Sequence, residues 1–104
     1  MTTRPFTLTV TGKGGHGAIP AVTMDPVVAA SALVRELQIL ALRAGDVQIA
    51  FTRMHAGTKF NVIPNDAAVT GSITYGSEES LAKIKQGLTH TAAAYRTAID
   101  FCLE

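Results

Sequence analysis

The sequence predicts an α+β domain with the ferredoxin-like element order βαββαβ. Apolar residues alternate with polar ones in four short segments, which is typical of strands, and recur at helical spacing in two longer segments. In this topology two split right-handed crossovers build a four-stranded antiparallel sheet of order 4-1-3-2, with both helices on one face. We therefore expect the chain termini to lie close together and the second strand to form an edge with unpaired backbone groups.

The first predicted strand runs into a glycine-rich segment. Phe6, Leu8 and Val10 alternate with threonines, which predicts a half-buried strand. The glycine cluster that follows contains Gly12, Gly14, Gly15 and Gly17, and Pro20 comes shortly after it. So many glycines are typical of a flexible turn, and they also let the backbone approach a ligand closely.

The first helix is predicted from Asp25 to about Ala44. Asp25 is a typical N-cap, Pro26 suits the first helical position, and Gly45 is a natural stop. The apolar residues cover a wider arc than one packed face needs. They are Val27, Ala30, Leu33, Val34, Leu37, Leu40 and Ala41. We therefore expect this helix to contact something in addition to its own sheet.

The second half of the chain supplies the remaining elements. The pattern predicts a second strand over Val47–Met54, a loop over His55–Asn65 and a third strand over Ala67–Tyr75. Ser77 can cap a second helix, and a fourth strand is predicted over Ile99–Leu103. The apolar stripe of the second helix comprises Leu81, Ile84, Leu88, Ala92 and Tyr95.

Composition narrows the class of protein. The 104 residues fit one domain, and 47% hydrophobic with 16% charged residues indicates a folded chain. Nine basic against eight acidic residues give no electrostatic reason to expect a nucleic acid or an anionic membrane as partner. The single cysteine, Cys102, excludes an internal disulfide. Since no signal region and no run of about 20 apolar residues is present, we expect a cytoplasmic protein.

The glycine cluster spells G-x-G-x-x-G from Gly12 to Gly17. A dinucleotide site requires a helix to begin within that motif, whereas the helix here begins only at Asp25, and no acidic residue follows at the ribose-binding distance. The terminal Lys-Ser/Thr of a P-loop is also missing. His16 lies inside the cluster, where it is either an ordinary surface histidine or a functional side chain presented by flanking glycines.

The other polar candidates carry weaker signals. His55 ends the second predicted strand, and His90 falls near the polar side of the second helix. These separated histidines do not form a metal site, and Cys102 is interpreted as a structural or incidental thiol. In the loop Gly57–Pro64, the amide of Asn61 either holds a carboxylate or carbonyl of a ligand or closes an Asx-type turn.

Two segments together resemble a known family. Gly12–Pro20 (GKGGHGAIP) followed by Asp25–Val27 (DPV) resembles the start of the dimerisation, or lid, domain of zinc-dependent amidohydrolases and metallopeptidases of the aminoacylase, carboxypeptidase and hippurate hydrolase type. Gly57–Pro64 (GTKFNVIP) is similar to that domain's second signature. The resemblance covers nearly all of the chain. It departs at Ala21, where the branch that hydrolyses hippurate and other N-acyl amino acids usually has histidine.

The resemblance implies that the functional residues of the complete enzyme are distributed over two domains. Residues 1–104 correspond to one lid and dimerisation domain of a larger amidohydrolase, and they include no metal site. The catalytic domain, which is not part of this sequence, supplies the ligands of one or two zinc ions or other divalent metals and a glutamate base. His16 would reach across from the partner subunit to stabilise the oxyanion, and Asn61, with Gly57 and Thr58, would bind the substrate. The substrate would be an N-acyl amino acid or a related small amide.

The topology further predicts a homodimer that forms through strand Val47–Met54 and helix Asp25–Ala44. An alternative is a stand-alone ferredoxin-like module that binds a small regulatory ligand, because fold alone does not assign function. An RNA-binding version needs exposed aromatic residues on the first and third strands. The sequence offers only Phe6 and Tyr75 there.

Overall fold

The computed structural model describes residues 1–16 and 24–104, and of His16 it describes the backbone only. The elements are β1 (Thr2–Thr11), β2 (Gly15–His16), α1 (Pro26–Ala44), β3 (Val47–Ala56), β4 (Val62–Ile63), β5 (Asp66–Tyr75), α2 (Glu78–Ala94) and β6 (Ala98–Leu103). The long strands form an antiparallel sheet of order β3-β5-β1-β6, and β2 pairs with β4 in a separate two-stranded sheet. The ferredoxin-like prediction is therefore confirmed, since the order 4-1-3-2 of the predicted strands is the observed order.

The two ends of the chain lie side by side, as the topology predicts. Phe6 of β1 is opposite Leu103 of β6. The backbone N–H of Glu104 donates to the carbonyl of Pro5 at 3.0 Å. The guanidinium of Arg4 donates to the carbonyl of Glu104 at 2.9 Å and secures the end of the last strand.

The core lies between the sheet and the two helices. Alternate residues of β1 are buried because they face the helices, and the threonines between them lie on the open side of the sheet. Helix α1 contacts α2, β3 and β5, and α2 contacts β6, so both helices cover one face. The largest fully buried side chains are Phe6, Leu8, Val10, Pro26, Leu33, Leu37, Val69, Ile73, Ile84 and Leu88.

The predicted helix boundaries are confirmed by their caps. The carboxylate of Asp25 accepts from the N–H of Val27 at 2.9 Å, and Gly45 ends α1 with a left-handed φ of 81°. Ser77 caps α2 by accepting from the N–H of Ser80 at 3.2 Å. Neither described helix has the length and apolar character needed to cross a membrane.

Two predictions about the middle of the chain were incomplete. The edge strand β3 continues to Ala56 instead of ending at Met54, because its last residues pair with the start of β5. The predicted loop His55–Asn65 therefore begins later, and it contains the short strand β4. A register shift between Phe51 and Arg53 leaves Thr52 as an extra residue in β3.

Helix α1 leaves apolar side chains exposed, but of the predicted apolar arc only Val27 is among them, at 38%. The others lie outside that arc. Val28 is 52% exposed and Leu42 is 77% exposed. Leu42 borders a groove of about 200 Å³ between α1 and β3, which Gln38 and Gln48 also line. The exposed side of α1 is thus continuous with the edge of the sheet.

Candidate functional site

The two signature segments meet in the small sheet formed by β2 and β4. Gly15 is opposite Ile63, and His16 is opposite Val62, in antiparallel register. Because Asn61 directly precedes β4, the pairing brings the backbone of His16 next to the loop that carries Asn61. The glycine cluster was interpreted as a flexible turn, which is wrong for Gly15 and His16, since both are part of a strand.

Close backbone packing explains two glycines of the cluster. A Cβ on Gly12 would lie 2.0 Å from the carbonyl oxygen of Met24. A Cβ on Gly14 would lie 2.2 Å from the carbonyl oxygen of Ile63 and 2.8 Å from that of Pro64. Neither neighbour is a flexible side-chain end, so these positions exclude any larger residue without a shift of the backbone.

Asn65 joins the two segments through hydrogen bonds. Its side-chain oxygen Oδ1 accepts from the N–H of Gly14 at 3.0 Å. Its backbone carbonyl accepts from the N–H of Gly12 at 2.9 Å. Sequence reasoning missed this residue, because one asparagine after a proline has no periodicity that identifies its partner.

A backbone pair closes the base of the first segment. Lys13 and Met24 exchange two hydrogen bonds, of 2.8 and 2.9 Å, directly before Asp25 caps α1. Residues 17–23 lie outside the described residues. The predictions for Gly17, Pro20 and Ala21 therefore concern positions that the structure does not describe.

The second segment borders a cleft of about 460 Å³ next to the N-terminus of α1. Gly57 has a left-handed φ of 76° and lines this cleft together with Thr58, whereas Asn61 is exposed beside it and is not part of its lining. Phe60 lines the cleft too, with a fully exposed ring. The complete lining comprises Asp25, Val27, Ala56, Gly57, Thr58, Lys59, Phe60, Val62, Ile63 and Pro64.

The remaining candidates lie apart from this cleft. His55 and His90 are exposed on β3 and α2. Among the side chains that the structure describes, which do not include that of His16, no group of three or more His, Cys, Asp or Glu residues could hold a metal ion. Phe6 and Tyr75 are only 2% and 5% exposed, so the aromatic residues that an RNA-binding sheet needs are buried under the helices.

Cys102 is exposed on β6, and its thiol donates to the carboxylate of Asp100 at 3.2 Å. This hydrogen bond and the negative charge of Asp100 raise the pKa of the Cys102 thiol, and the nearby Lys85 opposes them. A raised pKa keeps the sulfur protonated and lowers its reactivity. The structure therefore favours the interpretation of Cys102 as an incidental thiol.

Known proteins match this chain over nearly its whole length. Residues 5–95 match the family described as peptidase dimerisation domain. The chain is 38% identical over 97 residues to the IAA-amino acid hydrolase ILR1-like 2 of Arabidopsis thaliana, covering 88% of this chain and 22% of that protein. It is 32% identical over 107 residues to the N-acetylcysteine deacetylase of Bacillus subtilis, covering 92% of this chain and 27% of that protein.

Solved structures share the fold at lower identity. The aminobenzoyl-glutamate utilization protein of Klebsiella pneumoniae superposes with a TM-score of 0.80 at 21% identity, over 97% of this chain and 27% of that one. The aminopeptidase PepT of Bacillus cereus has a TM-score of 0.80 at 17% identity, over 99% of this chain and 29% of that one. The chain spans about a quarter of the length of the curated relatives that it matches.

Proposed function

The chain belongs to the family of peptidase dimerisation domains, and on that premise we propose that it is the dimerisation and substrate-capping domain of a metal-dependent amidohydrolase. The observation that carries the proposal is the pairing of β2 with β4, which brings the His16 and Asn61 segments together. Gly14 and Asn65, which are 51 positions apart in sequence, are joined there by a direct hydrogen bond. Such a joined pair of segments forms one functional surface.

The dimer is proposed to form through β3 and α1. The sheet order leaves β3 at an edge, where unpaired N–H and C=O groups can pair with a second copy. Next to that edge, α1 exposes Val27, which shares a cleft with Ala56 at one end of β3, and Leu42, which shares a groove with Val47 at the other end. Antiparallel pairing of two β3 strands about a two-fold axis joins two four-stranded sheets into one and buries these side chains. The loop that carries Asn61 follows β3 and moves towards the partner subunit in this arrangement.

His16 is proposed to act in the active site of the partner subunit. Its backbone is held opposite Val62, at the end of the molecule that bears the cleft. We propose that its imidazole donates a hydrogen bond to the oxyanion that develops when an amide carbonyl is attacked. This interaction forms only as negative charge develops, so it accelerates the chemical step more than it strengthens binding of the substrate.

The Gly57–Asn61 segment is proposed to bind the substrate. The exposed amide of Asn61 can donate to a carboxylate or carbonyl, and Gly57 and Thr58 line the adjoining cleft. The names of the relatives support an N-acyl amino acid as substrate, because they include an IAA-amino acid hydrolase, an N-acetylcysteine deacetylase and an N-acetyldiaminopimelate deacetylase. The substrate class proposed here is accordingly N-acyl amino acids and related small amides.

The metal is proposed to belong to another domain of the complete protein. The described residues do not fit a zinc site, since they include no cluster of three ligands. We propose that zinc or another divalent metal is bound by the catalytic domain to which this domain is attached. We expect the isolated chain to have no amidase activity with or without added zinc.

Mixing two inactive variants of the complete amidohydrolase tests the proposal. His16→Ala should lower kcat by about 10²-fold or more, with unchanged metal content, because one oxyanion donor is lost. Mixed with a second variant that is defective only in its metal ligands, it should regain activity, since hybrid dimers contain one intact composite site. An unchanged kcat, or no recovery after exchange of subunits is verified, would refute the role of His16 in trans.

A further inference from the structure

We infer that Asn65 is a positioning residue that holds the backbone of His16 in place for catalysis. The inference rests on the proposed function, because it assigns a catalytic consequence to the link between the two signature segments. Its evidence is the pair of hydrogen bonds from Gly12 and Gly14 to Asn65. No other described side chain bonds to the backbone of β2 or of the segment just before it.

The hydrogen bonds of Asn65 act close to His16. Gly14 lies two residues before His16, and a strand advances about 3.3 Å per residue, so a displacement at Gly14 passes directly to the histidine. The small sheet has only two residue pairs, Gly15 with Ile63 and His16 with Val62. Two residue pairs are too few to fix the position of β2, so the hydrogen bond that Gly14 donates to Asn65 is important for its geometry.

Tight packing makes the position of β2 sensitive to this bond. The backbone around Gly14 already approaches the carbonyls of Ile63 and Pro64 so closely that no Cβ fits. If the bond to the Asn65 side chain is lost, Gly14 has room to move only away from β4. The backbone carbonyl of Asn65 still accepts from Gly12, so we expect a displaced His16 rather than an unfolded segment.

We expect Asn65 variants to lower kcat only when His16 is present. In the complete amidohydrolase, Asn65→Ala should lower kcat by about tenfold with little change in KM, since a displacement of about 1 Å can cost up to 10²-fold. Asn65→Asp keeps an oxygen that accepts from Gly14 and should stay within about threefold of the wild type. In a His16→Ala background, Asn65→Ala should lower kcat by less than about twofold more, because the group that it positions is already absent.

Hydrogen exchange provides a second, direct readout. Within residues 12–16, the amides from Gly14 to His16 should exchange about tenfold faster in Asn65→Ala, and at nearly the wild-type rate in Asn65→Asp. Thr89→Ala is the matched control, because Thr89 also makes one exposed bond to a backbone carbonyl, that of Lys85 at 2.9 Å in α2. This control should leave both kcat and the exchange of residues 12–16 unchanged.

The outcomes separate the inference from the proposed function. If His16→Ala has the same kcat as the wild type, the proposed function is overturned, and the catalytic role of Asn65 is overturned with it. If His16→Ala lowers kcat and Asn65→Ala does not, only the positioning role of Asn65 is overturned. The same holds if the two fold-losses in kcat multiply in the double variant. Unchanged exchange of residues 12–16 in Asn65→Ala would overturn it as well.

Discussion

Replacing Gly71 by alanine should strongly destabilise the domain. Gly71 lies in β5, between Phe6 of β1 and Phe51 of β3, at the point where the register of β3 shifts. An added Cβ would lie 1.9 Å from the carbonyl oxygen of Ala50 and 3.0 Å from its carbonyl carbon. Both atoms are backbone, so the edge strand must move as a unit to admit one methyl group.

The expected cost follows from that geometry. Overpacking that shifts backbone costs about 1–3 kcal/mol, and we expect the upper part of this range because no rotamer change can relieve the contact. The rings of Phe6 and Phe51 meet edge to face with centroids 6.2 Å apart, so displacement of β3 also weakens an aromatic pair. Alanine also lowers the conformational entropy of the unfolded chain, which raises the free energy of unfolding by about 0.4–1 kcal/mol. The net loss is about 2 kcal/mol, or a fall in Tm of about 8–16 °C.

Thermal and urea unfolding of the chain, at one fixed concentration, measure this effect. The matched control is Gly87→Ala in α2, where the added Cβ would lie 2.7 Å from Cδ1 of Leu40, the flexible end of a side chain. Alanine also gains up to about 1 kcal/mol of helix propensity there, so Tm should be unchanged or higher. Equal midpoints for the two variants would refute the argument that backbone contact makes Gly71 necessary.

Two further results are expected. Leu42→Asp should weaken self-association by about tenfold or more in analytical ultracentrifugation, because it adds a charge to the proposed interface. The control Ala93→Asp, at the matching end of α2, should leave self-association unchanged, and equal effects of the two variants would place the interface elsewhere. Asp100→Asn should shift the pH profile of Cys102 alkylation by iodoacetamide to lower pH, because Asp100 raises the pKa of the thiol. Lys85→Gln should shift the profile to higher pH, because Lys85 lowers that pKa. Shifts in the same direction for both variants would contradict this account.

The fold could be predicted because its signals are local. The alternation of Phe6, Leu8 and Val10 identifies which face of β1 is buried. Asp25 and Gly45 mark the ends of α1 through capping chemistry that involves only nearby backbone groups. Once the element order was known, the handedness of the crossovers reduced the possible sheet orders to the one observed.

The site could be predicted only in part. The two signature segments were identified from the sequence, but β4 was not, because two residues are too few to show a strand period. The link from Asn65 to Gly14 spans 51 positions, and no local pattern encodes it. The end of β3 was also missed, since the pairing of His55 and Ala56 depends on the opposite residues of β5.

The sequence by itself determined the two helices, the four strands of the main sheet, the order of these six elements and the two segments that carry the proposed chemistry. It did so because periodicity, caps and glycine content act over a few neighbouring residues. Only the tertiary structure decided that the strand containing His16 pairs with β4. It also decided that Gly14 is needed for close packing against Ile63 and that Asn65 joins the two segments. These are contacts between distant parts of the chain, and their geometry exists only after the sheet and helices have packed together.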